Sequence, residues 1–199
     1  HRGGWQVGLS TGLRNNTLGI LGLGKLGLQV ARVGLAFGMK VQAWSANLTP
    51  ERCAESGVVY ASREELFSTS DIVTVHLVLS DRTRGLVGPT EFQMMKPTAY
   101  LVNTSRGPIV QESALITALQ GGAIAGAGLD VFDNEPLPQN HPLRGLDNAV
   151  LLSAGVIEPT VTGTAESAIA PVATHTIGST ESTVSNEVLQ TVTSSTDAI

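Results

Sequence analysis

Cysteine and long apolar runs are scarce in this sequence, and each shortage excludes a class of protein. The single cysteine, Cys53, cannot form an internal disulfide, and no pair of Cys and His residues has the spacing of metal ligands. No apolar run approaches the roughly 18 residues of a membrane-spanning helix. The polar start at residues 1–6 is unlike a signal peptide. We therefore expect a soluble cytoplasmic protein with no metal site and no membrane partner.

Clustered positive charge is also missing. The 199 residues carry 12 Lys and Arg against 17 Asp and Glu, a net charge of −5, and the cations are dispersed singly. Because binding to a phosphate backbone needs a basic cluster, we expect no nucleic acid partner. The sequence does have 42% hydrophobic residues, enough for a core, and 22 glycines, which suit tight turns between strands and helices.

Short apolar runs alternate with segments of helical apolar spacing between residues 17 and 152. Five runs are typical of strands, at residues 18–21, 41–44, 72–75, 100–102 and 150–152. Helical spacing covers residues 26–37 and 113–119. This alternation predicts an α/β fold, a Rossmann-like doubly wound parallel sheet with helices on both faces. Such sheets bind ligands at the carboxyl ends of their strands.

A glycine-rich turn with the sequence GLGKLG, Gly22–Gly27, lies between the first predicted strand and the first predicted helix. In a dinucleotide-binding turn the first glycine allows the tight bend, and the second lets the backbone approach a pyrophosphate. The third glycine brings helix and strand together. The helix amino end also offers N–H groups and a partial positive charge to phosphates. A packing turn without a ligand has the same spacing, so the motif alone leaves both interpretations open.

The end of the second predicted strand bears on which dinucleotide would fit. An Asp or Glu about 20 residues after the glycines usually binds the adenosine ribose hydroxyls, and this sequence has Ser45 there. Without a carboxylate to repel a 2′-phosphate, selectivity for NAD over NADP should weaken or reverse. Arg52 is either a partner for such a phosphate or an exposed helix cation. The cofactor is left open as NAD or NADP.

Further segments resemble, in order and spacing, those of a known family. They are residues 17–24 with 37–41, residues 75–80 (VHLVLS), residues 103–107 (NTSRG) and residues 129–136 (LDVFDNEP). From Trp5 to Leu152 the sequence is similar to the NAD(P)-binding domain of the D-isomer-specific 2-hydroxyacid dehydrogenases. The resemblance implies hydride transfer between a nicotinamide cofactor and a small-molecule 2-hydroxy or 2-keto acid, with a homodimer as one assembly.

The resemblance also implies roles for individual residues. Arg106 would hold the substrate carboxylate with its planar guanidinium, and Glu135 would hydrogen-bond the catalytic His. Without the family, Glu135 would be interpreted as a solvated loop acid. Asp130 would meet the nicotinamide end of the cofactor. The expected cofactor-binding residues are Gly22, Gly24, Lys25, Leu26, Gly27, Ser45, Leu77, Val78, Thr83, Thr104, Arg106 and Asp130.

The sequence departs from the family pattern at the catalytic His. In the family this His follows the last strand in a Pro-His-Ile-Gly-like turn, and Gly155 stands at that position here. Glycine cannot donate or accept a proton, and loss of a general acid-base costs about 10²–10⁴ in rate. The alternative is an insertion that displaced the true His to His175. His76 and His141 are interpreted as structural.

Composition divides the chain into three parts. Residues 1–16 are a lead-in segment and residues 17–152 the dinucleotide-binding domain. Residues 153–199 contain no Lys, Arg or aromatic residue, and from Thr160 onward 16 of 40 residues are Ser or Thr. We expect this last part to be a poorly ordered tail, with one helix at residues 161–172 as the alternative. The substrate domain, which family members form largely ahead of the cofactor domain, is expected to be largely absent.

Three functions stay open on the sequence alone. The first is the cofactor domain of a dehydrogenase or 2-ketoacid reductase, expected to be inactive as this chain alone because Gly155 and the absent substrate domain each remove part of the site. The second is a catalytically dead NAD(H)-binding regulatory module, which Gly155 favours. The third is a truncated, non-functional gene product, which the change in composition after residue 144 favours.

Overall fold

A single parallel sheet organises the part of the chain that the computed structural model describes, residues 12–152. Its seven strands lie in the order β3-β2-β1-β4-β5-β6-β7. The chain first steps outward from β1 to β3, then crosses back to place β4 on the other side of β1. This reversal between β1 and β4 is the switch point at which such sheets bind ligands. The strands are β1 Thr17–Leu21, β2 Lys40–Trp44, β3 Val59–Tyr60, β4 Ile72–Val75, β5 Tyr100–Asn103, β6 Gly126–Leu129 and β7 Ala149–Leu151.

Helices cover both faces of this sheet, each face with its own apolar cluster. Helices α1 and α2 pack with Leu18, Ile20 and Val41 on one face. Helices α3, α4 and α5 pack with Leu21 and Val73 on the other. The predicted α/β doubly wound sheet is confirmed. The helices are α1 Lys25–Ala36, α2 Pro50–Ala54, α3 Arg63–Thr69, α4 Pro89–Met94 and α5 Glu112–Gln120, with 3₁₀ turns at Gly107–Ile109 and Pro142–Gly145.

Helix α1 approaches the sheet through a stripe of small residues. Gly27, Ala31 and Gly34 are its buried positions, and their spacing places them on one helical face. A Cβ atom at Gly34 would lie 2.8 Å from Cδ2 of Leu18 on β1. The small residues along this stripe therefore let α1 pack closely against β1.

The five predicted strands are confirmed to within one residue at each end, and two further strands were missed. Strand β3 has only two residues, both exposed. Strand β6 has the sequence GAGL, which lacks the β-branched residues that indicate strands. The domain boundaries at residues 16 and 152 stay a prediction. The predicted tail, the helix at residues 161–172, Gly155 and His175 lie outside the described residues.

Candidate functional site

The glycine-rich turn joins β1 to α1 at the switch point. Gly22 has a φ of 97°, a conformation that favours glycine, and its N–H donates to the Trp44 carbonyl on β2 at 2.9 Å. A Cβ atom on Gly27 would overlap the Gly22 carbonyl oxygen, whereas one on Gly24 would meet nothing within 4 Å. Gly24 is also the N-cap of α1, and no side chain caps that helix. The turn thus presents open space and uncapped helix N–H groups on its outer side.

Two neighbouring clefts open beside this turn, along the carboxyl ends of the strands. The β2-side cleft, of about 390 Å³, is lined by Trp44, Ser45, Ala46, Asn47, Leu77, Val78, Ser80, Arg82, Thr83 and Leu86. The β5-side cleft, of about 430 Å³, is lined by Leu26, Gln29, Val30, His76, Leu77, Val78, Leu79, Thr104, Ser105 and Arg106. Leu77 and Val78 line both clefts, so the two form one path across the edge of the sheet.

Apolar side chains along this path are exposed. Val78 is 83% exposed and Leu26 is 66% exposed, so these two expected cofactor contacts are free for a ligand to cover. Thr83 folds the loop that carries Val78: its Oγ1 donates to the Val78 carbonyl at 2.7 Å and accepts from the Ser80 N–H at 2.8 Å. Thr83 therefore has a structural partner as well as a place in the β2-side cleft.

A buried amide holds the loop that carries Arg106. Asn103 ends β5 and is 1% exposed. Its Nδ2 donates to the Arg106 carbonyl at 3.0 Å, and its Oδ1 accepts from the Ser105 N–H at 3.1 Å. The Ser105 hydroxyl in turn donates to the Leu77 carbonyl at 2.6 Å. These bonds fix the Arg106 backbone beside the β5-side cleft, while its exposed side chain donates from Nη1 to the Ser105 carbonyl at 2.6 Å.

Asn103 and Ser105 were missed as positioning residues by the sequence analysis. The available signal was polarity: an Asn at the end of a buried strand and a Ser in the turn after it each need hydrogen-bond partners. The motif was recognised through its arginine, and the two residues that orient that arginine's backbone were not singled out.

The acidic segment after β6 lies against the Arg106 loop. A Cβ atom on Gly107 would overlap the carbonyl of Phe132, so only glycine lets the two loops approach this closely. The Asp130 N–H donates to the Asn103 carbonyl at 3.0 Å, which places Asp130 next to the end of β5. Glu135 is exposed, and its Oε1 accepts from the Phe132 N–H at 2.9 Å. In this structure Glu135 therefore closes its own turn.

The two histidines interpreted as structural have partners of their own. His76 Nε2 lies 3.0 Å from Thr74 Oγ1, and burial lowers the pKa of His76, which favours the neutral ring. His141 Nε2 lies 3.0 Å from Glu112 Oε1, and its Nδ1 accepts from the Leu143 N–H at 3.3 Å. His76 also lines the β5-side cleft.

The two residues considered for nucleotide selectivity are in different clefts. Ser45 lines the β2-side cleft. Arg52 is exposed on α2 and, with Lys25 and Gly24, lines a separate cleft between α1 and α2, called the α2-side cleft. The structure does not bring Arg52 and Ser45 to one cleft, which favours the interpretation of Arg52 as an exposed helix cation.

Between residues 12 and 152 no helix has the length and apolar character needed to cross a membrane. Within that same range, no three or more His, Cys, Asp or Glu side chains are placed to hold a metal ion together.

A doubly wound parallel sheet, a glycine turn at the start of α1 and a path of clefts over the switch point together define a nucleotide-binding domain of the Rossmann type. The particular family is identified by sequence. The family model for the NAD binding domain of D-isomer specific 2-hydroxyacid dehydrogenases matches residues 1–153. The chain belongs to this family, and an NAD-type dinucleotide is its class of cofactor.

Individual relatives agree with this assignment. The chain is 49% identical over 152 residues to a glyoxylate reductase from Aeropyrum pernix, a match that covers 75% of this chain and 45% of that relative. It is 39% identical to the solved phosphoglycerate oxidoreductase from Vibrio cholerae O395, with a TM-score of 0.69, covering 72% of this chain and 46% of that one. The NAD-complexed D-isomer specific 2-hydroxyacid dehydrogenase from Lactobacillus delbrueckii ssp. bulgaricus is 34% identical, with a TM-score of 0.65, and the match covers 72% and 47% of the two chains. The chain thus spans about half the length of the relatives it matches.

Proposed function

We propose that this chain is the cofactor-binding part of an oxidoreductase that transfers a hydride between a nicotinamide dinucleotide and a 2-hydroxy or 2-keto acid. The observation that supports it best is the path formed by the two clefts. It runs from Ser45 past Leu77 and Val78 to Arg106, and Leu26 at the start of α1 borders it. A dinucleotide has two halves joined by a pyrophosphate, and this path offers two recesses with uncapped helix N–H groups beside them.

Each part of the path suits one part of the cofactor. The pyrophosphate lies at Gly24, where Lys25, Leu26 and the buried Gly27 begin α1. The adenosine half occupies the β2-side cleft, against Ser45 and Thr83. The nicotinamide half occupies the β5-side cleft, against Leu77, Val78 and Thr104, with Asp130 at the neighbouring strand end. When bound, the cofactor supplies or accepts the hydride.

The protein's own contribution to the chemistry centres on Arg106. Its guanidinium uses Nη1 on the Ser105 carbonyl, which leaves Nε and Nη2 to pair with a substrate carboxylate at the mouth of the β5-side cleft. Asn103 holds the Arg106 backbone, so the guanidinium is presented from a fixed point. Glu135, on the loop that packs against Gly107, would orient an acid-base His supplied after β7.

A cofactor titration tests the binding half of this proposal. Calorimetry with NADH and NADPH should show saturable binding, followed in parallel by energy transfer from the two tryptophans, of which Trp44 lines the β2-side cleft. Gly24→Val adds a side chain where the structure has open space, so the fold should survive while affinity falls at least tenfold. Gly145→Val is the matched control, because a Cβ there also meets nothing within 4 Å. Equal affinity in the two variants, or no binding by the folded wild-type chain, would refute the assignment.

A chimera tests the catalytic half. Residues 12–152 would replace the matching segment of the Aeropyrum pernix glyoxylate reductase, which keeps that relative's own flanking residues. The chimera should reduce glyoxylate, and Arg106→Gln within it should abolish turnover. The unmodified chain should bind cofactor without turnover if Gly155 takes the position of the acid-base His, as the family resemblance implies. Turnover by the unmodified chain that disappears in His175→Ala would instead assign the acid-base to His175.

Gly155 also favours a second function, that of a regulatory module. A module that binds NAD(H) without catalysis needs the clefts and the glycine turn but no proton donor, and Gly155 removes that donor. An inactive chimera whose cofactor affinity matches that of the wild-type chain would favour this regulatory role. A homodimer and a cytoplasmic location are part of the proposal for the enzyme. The lone Cys53, which is buried and free, is consistent with a reducing compartment.

A further inference from the structure

One arginine outside the clefts contacts two of the walls of the β2-side cleft. Arg63 is the first residue of α3. Its guanidinium carbon lies 5.8 Å from the centroid of the Trp44 ring, and its Nη2 donates to the Leu86 carbonyl at 2.6 Å. Trp44 and Leu86 both line the β2-side cleft, and Arg63 does not. Arg63 therefore reaches this cleft only through its walls.

A buried carboxylate holds the guanidinium in place from behind. Glu91 is 6% exposed, and its Oε1 accepts from Arg63 Nη2 at 2.7 Å. Its Oε2 accepts from the Gly88 N–H at the start of α4, at 2.8 Å. Because Glu91 is fixed by the helix end, it ties Arg63 to a rigid element, and a charge-assisted bond of this kind is among the stronger hydrogen bonds in proteins.

The orientation of Arg63 is fixed by its neighbours even though one of its donors is left unused. Within residues 12–152, its buried Nε has no hydrogen-bond partner, an arrangement that costs stability. The position over the indole and the two bonds from Nη2 thus set the guanidinium plane. A cation over an indole face is a favourable contact, so this plane also restrains the ring of Trp44.

The two residues that Arg63 contacts, Trp44 and Leu86, belong to separate parts of the fold. The Trp44 carbonyl accepts from Gly22 of the glycine turn. Beside Leu86, Val87 is paired with the β5 side of the sheet, since its N–H donates to the Ile109 carbonyl at 3.1 Å and its carbonyl accepts from the Gln111 N–H at 2.8 Å. Arg63 thus contacts both the Trp44 side and the Leu86 side of the β2-side cleft.

We infer that Arg63 is a positioning residue for the adenosine half of the cofactor, acting through Trp44 and Leu86. This inference rests on the proposed function, because it requires a dinucleotide in the clefts. Removing the guanidinium should loosen the β2-side cleft and leave the β5-side cleft intact, since Arg106 and its supporting bonds do not involve Arg63.

The experiment compares the two halves of the cofactor as separate ligands on the full chain. Affinities for 5′-AMP, for nicotinamide mononucleotide and for NADH are measured by calorimetry for wild type, Arg63→Met and Arg63→Lys. We expect Arg63→Met to weaken 5′-AMP and NADH about tenfold and to change nicotinamide mononucleotide less than twofold. Arg63→Lys should recover part of the loss, because an ammonium retains the charge over Trp44 and beside Glu91.

Arg144→Met is the matched control. Arg144 also donates to two backbone carbonyls, those of Pro138 at 2.9 Å and Leu137 at 2.7 Å, and it lines neither cleft. It should lose stability without any selective loss of 5′-AMP. If Arg63→Met does not fold, Arg63→Gln carries the same comparison, since it removes the charge and the reach of the guanidinium but keeps a polar side chain at this half-exposed position.

The outcomes separate this inference from the proposed function. Equal weakening of both half-cofactors by Arg63→Met, or no weakening of either, overturns the positioning role while cofactor binding stands. A wild-type chain that binds none of the three ligands overturns the proposed function, and the role of Arg63 with it.

Discussion

Clefts lie at both ends of the parallel strands, which we call the amino edge and the carboxyl edge of the sheet. The two edges differ in whether their polar groups already have hydrogen-bond partners. At the amino ends of the strands lies the larger space, about 610 Å³, bordered by Asp71 and Tyr100 among others. Its carboxylate is fully engaged, because Asp71 accepts from Lys96 Nζ and from the Thr17 N–H, each at 2.8 Å. At the carboxyl edge the clefts are smaller, yet α1 is uncapped and Gly24 is open. Available donors and acceptors, more than volume, therefore distinguish the strand ends where we propose that the cofactor binds from the opposite strand ends.

The largest expected effect is at the glycine turn of the carboxyl edge. In Gly27→Ala the new Cβ meets the Gly22 carbonyl, which is backbone and cannot rotate away. The free energy of unfolding should fall by about 3 kcal/mol, as measured by urea denaturation. Gly128→Ala is the control, since its nearest neighbour, Val102 Cγ2, is 3.9 Å away, and it should change stability by less than about 0.5 kcal/mol. Equal stability of the two variants would contradict the close approach of α1 to β1.

A carboxylate added to the carboxyl edge should change ligand preference rather than stability. The β2-side cleft is lined by Arg82 and by no Asp or Glu within the described residues. Ser45→Asp should therefore shift the ratio of NADPH to NADH affinity about tenfold toward NADH, a change of about 1.4 kcal/mol. Ser56→Asp, in the α2-side cleft, is the charge-matched control and should leave the ratio unchanged. A wild-type preference for NADH of a hundredfold would contradict the selectivity expected from Ser45.

The smallest effect is expected at the amino edge, and it depends on pH. Partial burial opposes ionisation of Asp71, but the hydrogen bonds from Lys96 and the Thr17 N–H outweigh it and lower the pKa of Asp71 below its ordinary value of 3.8. A lowered pKa means that the stabilisation is present above 3.8 and is lost as pH falls through the folded-state value. Asp71→Asn should cost about 1 kcal/mol at neutral pH, since both partners are partly exposed.

Acid should remove that difference. In urea denaturation the wild type and Asp71→Asn should converge as the pH falls below 3.8, and affinity for NADH should be the same in both at neutral pH. Loss of cofactor affinity in Asp71→Asn would mean that the two edges are coupled, and the contrast between them would fail.

The glycine turn was easier to predict from the sequence than two of the strands around it. Glycine spacing located the turn because the φ of 97° at Gly22 and the close approach at Gly27 both favour glycine. The two strands were missed for different reasons. Strand β3 is too short and too exposed to show an apolar pattern, and β6 contains two glycines. Neither cause is visible as periodicity, because both strands are specified by their neighbours in the sheet.

Contacts between distant residues were beyond the reach of the sequence. Nothing near Arg63 in the chain indicates Trp44 or Glu91, which are 19 and 28 residues away. For the same reason Arg52 was considered beside Ser45, although the fold directs them to different clefts. The bond from Glu135 to its own turn depends on local backbone geometry that the acidic motif does not encode.

The strand order has a consequence for how the chain acquires its structure. Because every pair in the sheet is parallel, no two paired strands are joined by a tight hairpin, and central β1 aligns Leu18 with Val41 on one side and with Ile72 on the other. Strands this far apart in the sequence can pair only after a long loop closes. The entropy cost of closure therefore comes before the contacts stabilise the fold. During synthesis β1 and β2 emerge before β4, which begins about fifty residues after the end of β1, so one edge of β1 is unpaired until then. That interval exposes the apolar strand edge to other chains.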